Sequence, residues 1–261
     1  MRKCGWPYSF KMFELSKALQ ARVKDSVSQL RAALTEFKNV CYANSLGPES
    51  MVLTDLIWGS APGTQTAAPS EAALSGIEIF SIDTGRLYPE TYDLIERVQQ
   101  HYGRALRFYY PEATDLECWV GANGINGFRD GLEQRRGCCA IRKVEPFRRA
   151  VSGRDAWITG IRRSQSAGRA MAAPVAWDGE YGLHKVSPLL EWTEKEIWEY
   201  IRRKRLPYNT LHDKGFPSIG CAPCTRAVQP GDDQRSGRWW WERSESRECG
   251  LHSRPQAGFI K

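Results

Sequence analysis

The chain has 261 residues, of which 41% are hydrophobic and 26% charged, with a formal net charge of +7 and a pI near 9.0. That length and composition exclude wholesale disorder and allow one sizeable core with a small appendage. The positive balance points to an anionic ligand or partner, either nucleic acid or a phosphorylated metabolite, and no stretch approaches the roughly 20 apolar residues of a transmembrane helix.

Residues 11–38 place apolar side chains at helical spacing, among them Leu19, Val23, Val27, Leu30 and Leu34. Asn39–Ala43 reads as a short buried strand, followed by the turn Ser45-Leu46-Gly47-Pro48-Glu49-Ser50 and a helix from Met51 to about Ile57. Residues 58–75, rich in Gly, Pro, Ala, Ser and Thr, read as a long loop. Ile77–Ile82 is a second strand, ending at Asp83-Thr84-Gly85-Arg86, and Pro89 suits the first turn of the next helix. A third strand spans 104–110, a short helix 113–122 and a fourth strand 155–161. Thr193 and Glu196 form a capping box for a helix to about Arg203. Alternating strands and helices predict an α/β fold: an open, mainly parallel sheet with helices on both faces. After Cys224 the composition turns polar and aromatic, dividing the chain into a main domain, 1–228, and an arm, 229–261, with Gly231 and Gly237 as hinges.

In such a sheet, ligands bind beyond the carboxyl ends of the strands. The Ser45–Ser50 loop and Asp83–Arg86 both stand at such ends. Each alone is equally well a plain turn, since neither carries a Walker sequence; together they favour a nucleotide site.

Eight cysteines are present, and the amino-terminal residues show basic side chains with no apolar stretch behind them. A secretory signal is therefore not expected, and a cytoplasmic, reduced setting is. Cys138-Cys139 and Cys221-Ala222-Pro223-Cys224 together supply four thiols, suited to tetrahedral zinc or to an iron–sulfur cluster. Adjacent side chains diverge, which favours the wider cluster over one small ion. A Cys221–Cys224 disulfide beside unrelated buried thiols is the third reading. Cys249, in Glu248-Cys249-Gly250-Leu251-His252, stands apart on the arm.

The motifs Cys138-Cys139-Ala140-Ile141-Arg142-Lys143-Val144-Glu145-Pro146, Cys221–Cys224, Gly237-Arg238-Trp239-Trp240-Trp241-Glu242 and Glu248–His252 together resemble bacterial assimilatory adenylyl-sulfate (APS) reductases. The resemblance runs from about Ser45 to His252; the 58–75 loop is longer than the fold requires, and the last nine residues have no role that the resemblance assigns. It implies an adenine-nucleotide α-hydrolase-like fold with a mobile carboxyl-terminal arm. The implied reaction is reduction of adenosine 5′-phosphosulfate to sulfite and AMP by thioredoxin or a glutaredoxin-like donor. It also implies a [4Fe–4S] cluster on Cys138, Cys139, Cys221 and Cys224, Cys249 as nucleophile, and self-association. Ser45, Gly47, Asp83, Thr84, Gly85 and Arg86 would stand beside the nucleotide.

An anionic phosphosulfate and a thiolate nucleophile both call for nearby cations, and the candidates are Lys143, Arg169, Arg235 and Arg238, with His252 as a hydrogen-bond partner for Cys249. Each is equally an ordinary surface charge in composition. Lys143, four residues after Cys139, would lie on the same helical face and offset the charge of the cluster. Three rivals remain: a 3′-phospho-APS reductase, a zinc-stapled nucleic-acid-binding protein, and a non-catalytic sulfate-sensing relative. The absence of a long basic stripe argues against nucleic acid.

Overall fold

A computed structural model describes residues 15–59, 74–165 and 169–242. The first helix, α1 (Lys17–Glu36), is capped by Ser16, whose hydroxyl accepts from the Leu19 amide, and it buries Leu19, Leu30 and Ala33. β1 (Val40–Ala43), α2 (Pro48–Trp58), β2 (Glu78–Ile82), α3 (Pro89–Tyr102), β3 (Arg107–Tyr109) and α4 (Ala113–Asn123) follow. Then come α5 (Leu132–Cys139), a π-helical turn (Ala140–Val144), α6 (Glu145–Val151), β4 (Ala156–Ile158), β5 (Val175–Asp178), β6 (Leu183–Val186) and α7 (Glu194–Lys204). Thr193 and Glu196 make the expected capping box of α7.

The strands form one sheet in the order β3-β2-β1-β4-β6-β5, parallel except for the β5–β6 pair. That hairpin is an addition to the fold read from the sequence. Its strands are four residues long and β5 is exposed on three of them, so neither periodicity nor length announces it. Being antiparallel, it can sit at the sheet edge with one side in water.

Successive residues of the central strands face opposite layers. Tyr42, Ile79, Ala156 and Ile158 pack with α1, α2 and α7 in one core layer. Cys41, Phe80 and Trp157 pack with Phe147, Phe128, Trp239, Cys138 and Cys224 in the other. The order of the strands reverses beside β1: β2 and β3 lie on one side, β4 on the other. A crevice therefore opens beyond the carboxyl ends of β1 and β4, which is where the site is found.

The helix α2 carries a buried carboxylate. Asp55, 7% exposed, accepts from Tyr200 Oη (2.7 Å) and Tyr102 Oη (3.2 Å). Burial raises its pKa above the ordinary carboxylate value, more than the two tyrosines lower it. A carboxyl whose folded pKa is raised contributes stability that is complete below its unfolded pKa and lost as pH climbs through the folded one. Asp55→Asn removes that loss, so the denaturation midpoint of the variant relative to wild type should rise as the pH climbs above about 4. A difference independent of pH would show that Asp55 ionises as it does in the unfolded chain.

Candidate active site

A cavity of about 740 Å³ occupies the crevice, a size suited to a nucleotide-like small molecule. Its wall brings together three loops and both cysteine pairs. The first loop follows β1. Asn44 Oδ1 accepts from the Leu46 amide (2.7 Å) while its amide group donates to Thr54 Oγ1 (2.9 Å). Ser50 Oγ accepts from the Ser45 amide (3.0 Å) and lies 2.9 Å from Ser45 Oγ. This bracing holds Leu46 at φ 60°, a left-handed backbone that a branched side chain adopts only at a cost of about 1 kcal/mol. The result aims the amino terminus of α2, with Gly47 at the cap and Pro48 behind it, into the cavity. No side chain caps that end, and its amides and dipole favour an anion.

The loop after β4 forms the facing wall, through Thr159, Gly160, Ile161 and Arg162. Arg162 is buried; its Nε donates to Glu49 Oε1 (2.8 Å), which also accepts from Gln165 Nε2 (3.0 Å). Gln165 Oε1 accepts from the Arg162 amide and from Arg169 Nη1. Gly160 permits this closeness, since a Cβ there would stand 3.0 Å from Glu49 Cβ. Arg169 thus lines the cavity as the end of a network starting at Glu49, and neither Glu49, Arg162 nor Gln165 was singled out by sequence reasoning. The topology would have found them, because they flank the switch point; no local motif does.

The loop after β2 joins the two cysteine pairs. Thr84 Oγ1 lies 3.2 Å from Cys221 Sγ, the Ala222 amide donates to the Arg86 carbonyl (2.8 Å), and Tyr88 Oη donates to the carbonyl of Thr225 (2.6 Å). From the other pair, Arg142 Nη1 donates to the Thr84 carbonyl (2.7 Å). Thr84 and Arg86 line the cavity, and Asp83 and Gly85 belong to the same turn. The carboxylate of Asp83 is engaged by the Gly85 amide (2.7 Å) and Tyr92 Oη (3.1 Å), and Gly85 is needed for its φ of 70°.

Cys138, Cys139, Cys221 and Cys224 all line one cavity and none is in a disulfide, so the Cys221–Cys224 bridge is set aside. Burial pushes the Cys224 thiol up to about 12, and the neighbouring Cys221, Cys139 and Cys138 add to the rise while Arg238 opposes it. Burial likewise raises Cys138, against the opposing charge of Arg142. Four thiols lining one cavity suit a shared positive centre. Among the described residues, however, no three His, Cys, Asp or Glu side chains converge closely enough to hold a single metal ion. A lone zinc needs every sulfur at about 2.3 Å from one point. A cluster meets each sulfur with a different iron and tolerates a wider set. Two buried donors beside the thiols, Arg86 Nη1 and Arg142 Nε, have no hydrogen-bond partner, as have the indole nitrogens of Trp239 and Trp241. Such a rim of spare donors fits a sulfide-bearing anionic cluster.

Lys143 lines the cavity, as do Ser45, Gly47, Arg235 and Arg238. It lines the same cavity as Cys139, across the π turn over Ala140–Val144. The wider turn displaces residue i+4 from the position it holds in an α-helix, and such turns gather at functional sites. Arg238 is buried, donates to the Ile219 carbonyl (3.3 Å) and Ser218 Oγ (3.4 Å), and lies 4.6 Å from the Trp239 ring centroid. Gly220 makes its path possible, because a Cβ there would meet the guanidinium at 2.2 Å. Gly237, expected as a hinge, instead sits buried at a close backbone approach, 2.3 Å from an added Cβ to the Arg226 carbonyl. Cys249 and His252 lie outside the described residues.

Among the described residues no helix is long and apolar enough to cross a membrane. Residues 39–227 match the family described as phosphoadenosine phosphosulfate reductase domain. An adenosine 5′-phosphosulfate reductase from Allochromatium vinosum is 44% identical, over 90% of this chain and 87% of its own length. A second, from Sinorhizobium fredii, is 46% identical over 70% of this chain and 73% of its own. Among solved structures, the phosphoadenylyl-sulfate reductase of Candida auris, in a phosphate complex, superposes with a TM-score of 0.62 at 26% identity, covering 82% of this chain and 98% of that one. The Candida glabrata FMN adenylyltransferase in complex with ATP shares the fold, with a TM-score of 0.55 at 14% identity over 91% of this chain and 79% of its own. By sequence and by fold, the chain belongs to the phosphoadenosine phosphosulfate reductase family and, within it, to the adenosine 5′-phosphosulfate reductases.

Proposed function

We propose that the chain reduces adenosine 5′-phosphosulfate through an S-sulfocysteine on Cys249, with a thioredoxin-like dithiol as electron donor. The reading is supported by one observation above the others: an anion-binding helix end, the candidate cations Lys143, Arg169, Arg235 and Arg238 and both cysteine pairs share a single cavity. In the first stage the Cys249 thiolate attacks the sulfate sulfur, the bond from sulfur to the bridging oxygen breaks, and AMP leaves with that electron pair. In the second, a donor thiolate attacks Cys249 Sγ and sulfite departs with the electrons of the sulfur–sulfur bond. The donor's second thiol then resolves the mixed disulfide and returns Cys249 to its thiolate.

The residues have separate duties. Ser45, Gly47 and the α2 amides bind an anionic group of the substrate, with Arg169 steadied by the Glu49–Gln165 network. Arg235, Arg238 and Lys143 offset charge at the phosphosulfate and favour the attacking thiolate, with His252 beside it. A [4Fe–4S] cluster on Cys138, Cys139, Cys221 and Cys224 would supply fixed negative charge and tie the two cysteine pairs together at this wall, while both electrons come from the dithiol.

Sulfite release from APS with reduced thioredoxin, measured beside 3′-phospho-APS and with iron and acid-labile sulfide counts, tests the proposal. Rapid release from APS by a protein with about four irons per chain is expected. A colourless protein holding one zinc, or one turning over only the 3′-phosphorylated substrate, would overturn it.

A further inference from the structure

Two buried arginines around the cavity are matched by glutamates. Arg135 on α5 donates twice to Glu242, Nε to Oε1 and Nη2 to Oε2, both at 2.9 Å, and Arg162 donates to Glu49. Arg142, on the π turn, is equally buried, yet no carboxylate of the described residues pairs with it. Its Nη1 donates to the Thr84 carbonyl (2.7 Å), and its Nε has no partner. Arg86 comes to the same place with a weak hydrogen bond to Asn126 Oδ1 (3.3 Å), the Phe128 ring 5.0 Å from its guanidinium carbon, and a buried, unpartnered Nη1. A guanidinium keeps its charge at any working pH, and a buried one without an anion carries the full penalty of leaving water. The groups on which both arginines act are thiols: Cys138 feels the charge of each and accepts a hydrogen bond from Arg142. Thr84, the other partner of Arg142, lies 3.2 Å from Cys221 Sγ. One side chain therefore links the first cysteine pair to the turn that touches the second.

We infer that Arg142 is a positioning residue for the four-cysteine wall, its charge balancing the anionic group that Cys138, Cys139, Cys221 and Cys224 hold. The inference rests on the cluster proposed above. Iron-bound thiolates and sulfides supply the negative charge that Arg142 lacks among its protein neighbours, whereas neutral thiols do not. Arg142 and Lys143, adjacent in sequence, then have different duties: Arg142 is buried against Thr84 and Cys138, and the half-buried Lys143 is left for the substrate. Charge is the operative property of Arg142, separable from its hydrogen bond to Thr84.

The test is iron release from the full-length holoenzyme, purified without oxygen, into an excess of a ferrous chelator. Arg142→Gln retains an N–H donor and removes the charge; Arg142→Met, similar in bulk, removes both. Both should release iron at least about tenfold faster than wild type, the usual scale for losing a group that supports a metal ligand. Arg142→Lys, which keeps the charge, should release it more slowly than either. On the fraction still loaded, the reduction potential should fall in the two uncharged variants and hold in the lysine variant. Wild-type release in Arg142→Gln and Arg142→Met would overturn the inference. So would rescue by glutamine rather than lysine, or faster release at an unchanged potential, since either makes Arg142 a brace for the Thr84 turn. A wild-type protein that binds no iron would sink the cluster reading itself, and the inference with it.

Discussion

Cys249→Ser should lose sulfite production by on the order of 10⁴-fold or more and carry no protein-bound sulfur after exposure to labelled APS. A serine hydroxyl is nearly isosteric but stays protonated at neutral pH, so it cannot replace the thiolate that attacks sulfur. The lost group belongs to the covalent step alone, so APS affinity and iron content should stay at wild-type values. The combination is diagnostic. A variant that binds APS, holds its iron and takes no label has lost the nucleophile; one that still takes label passes that role to another residue. Among the remaining thiols, Cys118 is exposed and free, and Cys118→Ser serves as the matched control.

Cys224→Ser is the second large effect. Its thiol is buried, raised to about 12, and shares its surroundings with the other three cysteines. A hydroxyl is a poor iron ligand, so iron and acid-labile sulfide should fall to near background, and activity with them. The loss should extend to the tail. The Cys224 carbonyl receives the Trp239 amide, and Thr225 pairs with Arg238 in an isolated antiparallel bridge, so distortion at this turn moves two cavity cations and the Arg135–Glu242 pair. APS affinity should weaken along with iron content, which separates this variant from Cys249→Ser. Full activity with iron absent would show that the four thiols serve another purpose.

Long amphipathic stretches and proline or capping signals made most of the fold legible: α1, α3, α7 and the strands β1 to β4 stand close to where periodicity and turn residues put them. The β5–β6 hairpin was not legible, because its short strands lie at an edge where solvent, not a core, decides which residues are tolerated. The π turn was not legible either. Pro146 just beyond it has no amide to donate, and an extra residue per turn leaves no mark in spacing that α-helical reasoning can read. For the site, the cysteine pairs and the β1 loop announced themselves by motif. Glu49, Arg162 and Gln165 did not, since their roles arise from two loops meeting at the point where the strand order reverses. Asp83 was legible as a turn residue, and its carboxylate does brace that turn through the Gly85 amide.

The abutment of the two thiol pairs on the turn after β2 bears on biogenesis. Cys138 and Cys139 leave the ribosome well before Cys221 and Cys224, with β4, the edge hairpin and α7 synthesised in between. Nothing short of a nearly completed polypeptide offers four sulfurs at once. Loading of the proposed cluster would therefore be a late event that reports finished tertiary structure, and a nascent chain truncated ahead of Gly220 should be unable to acquire colour.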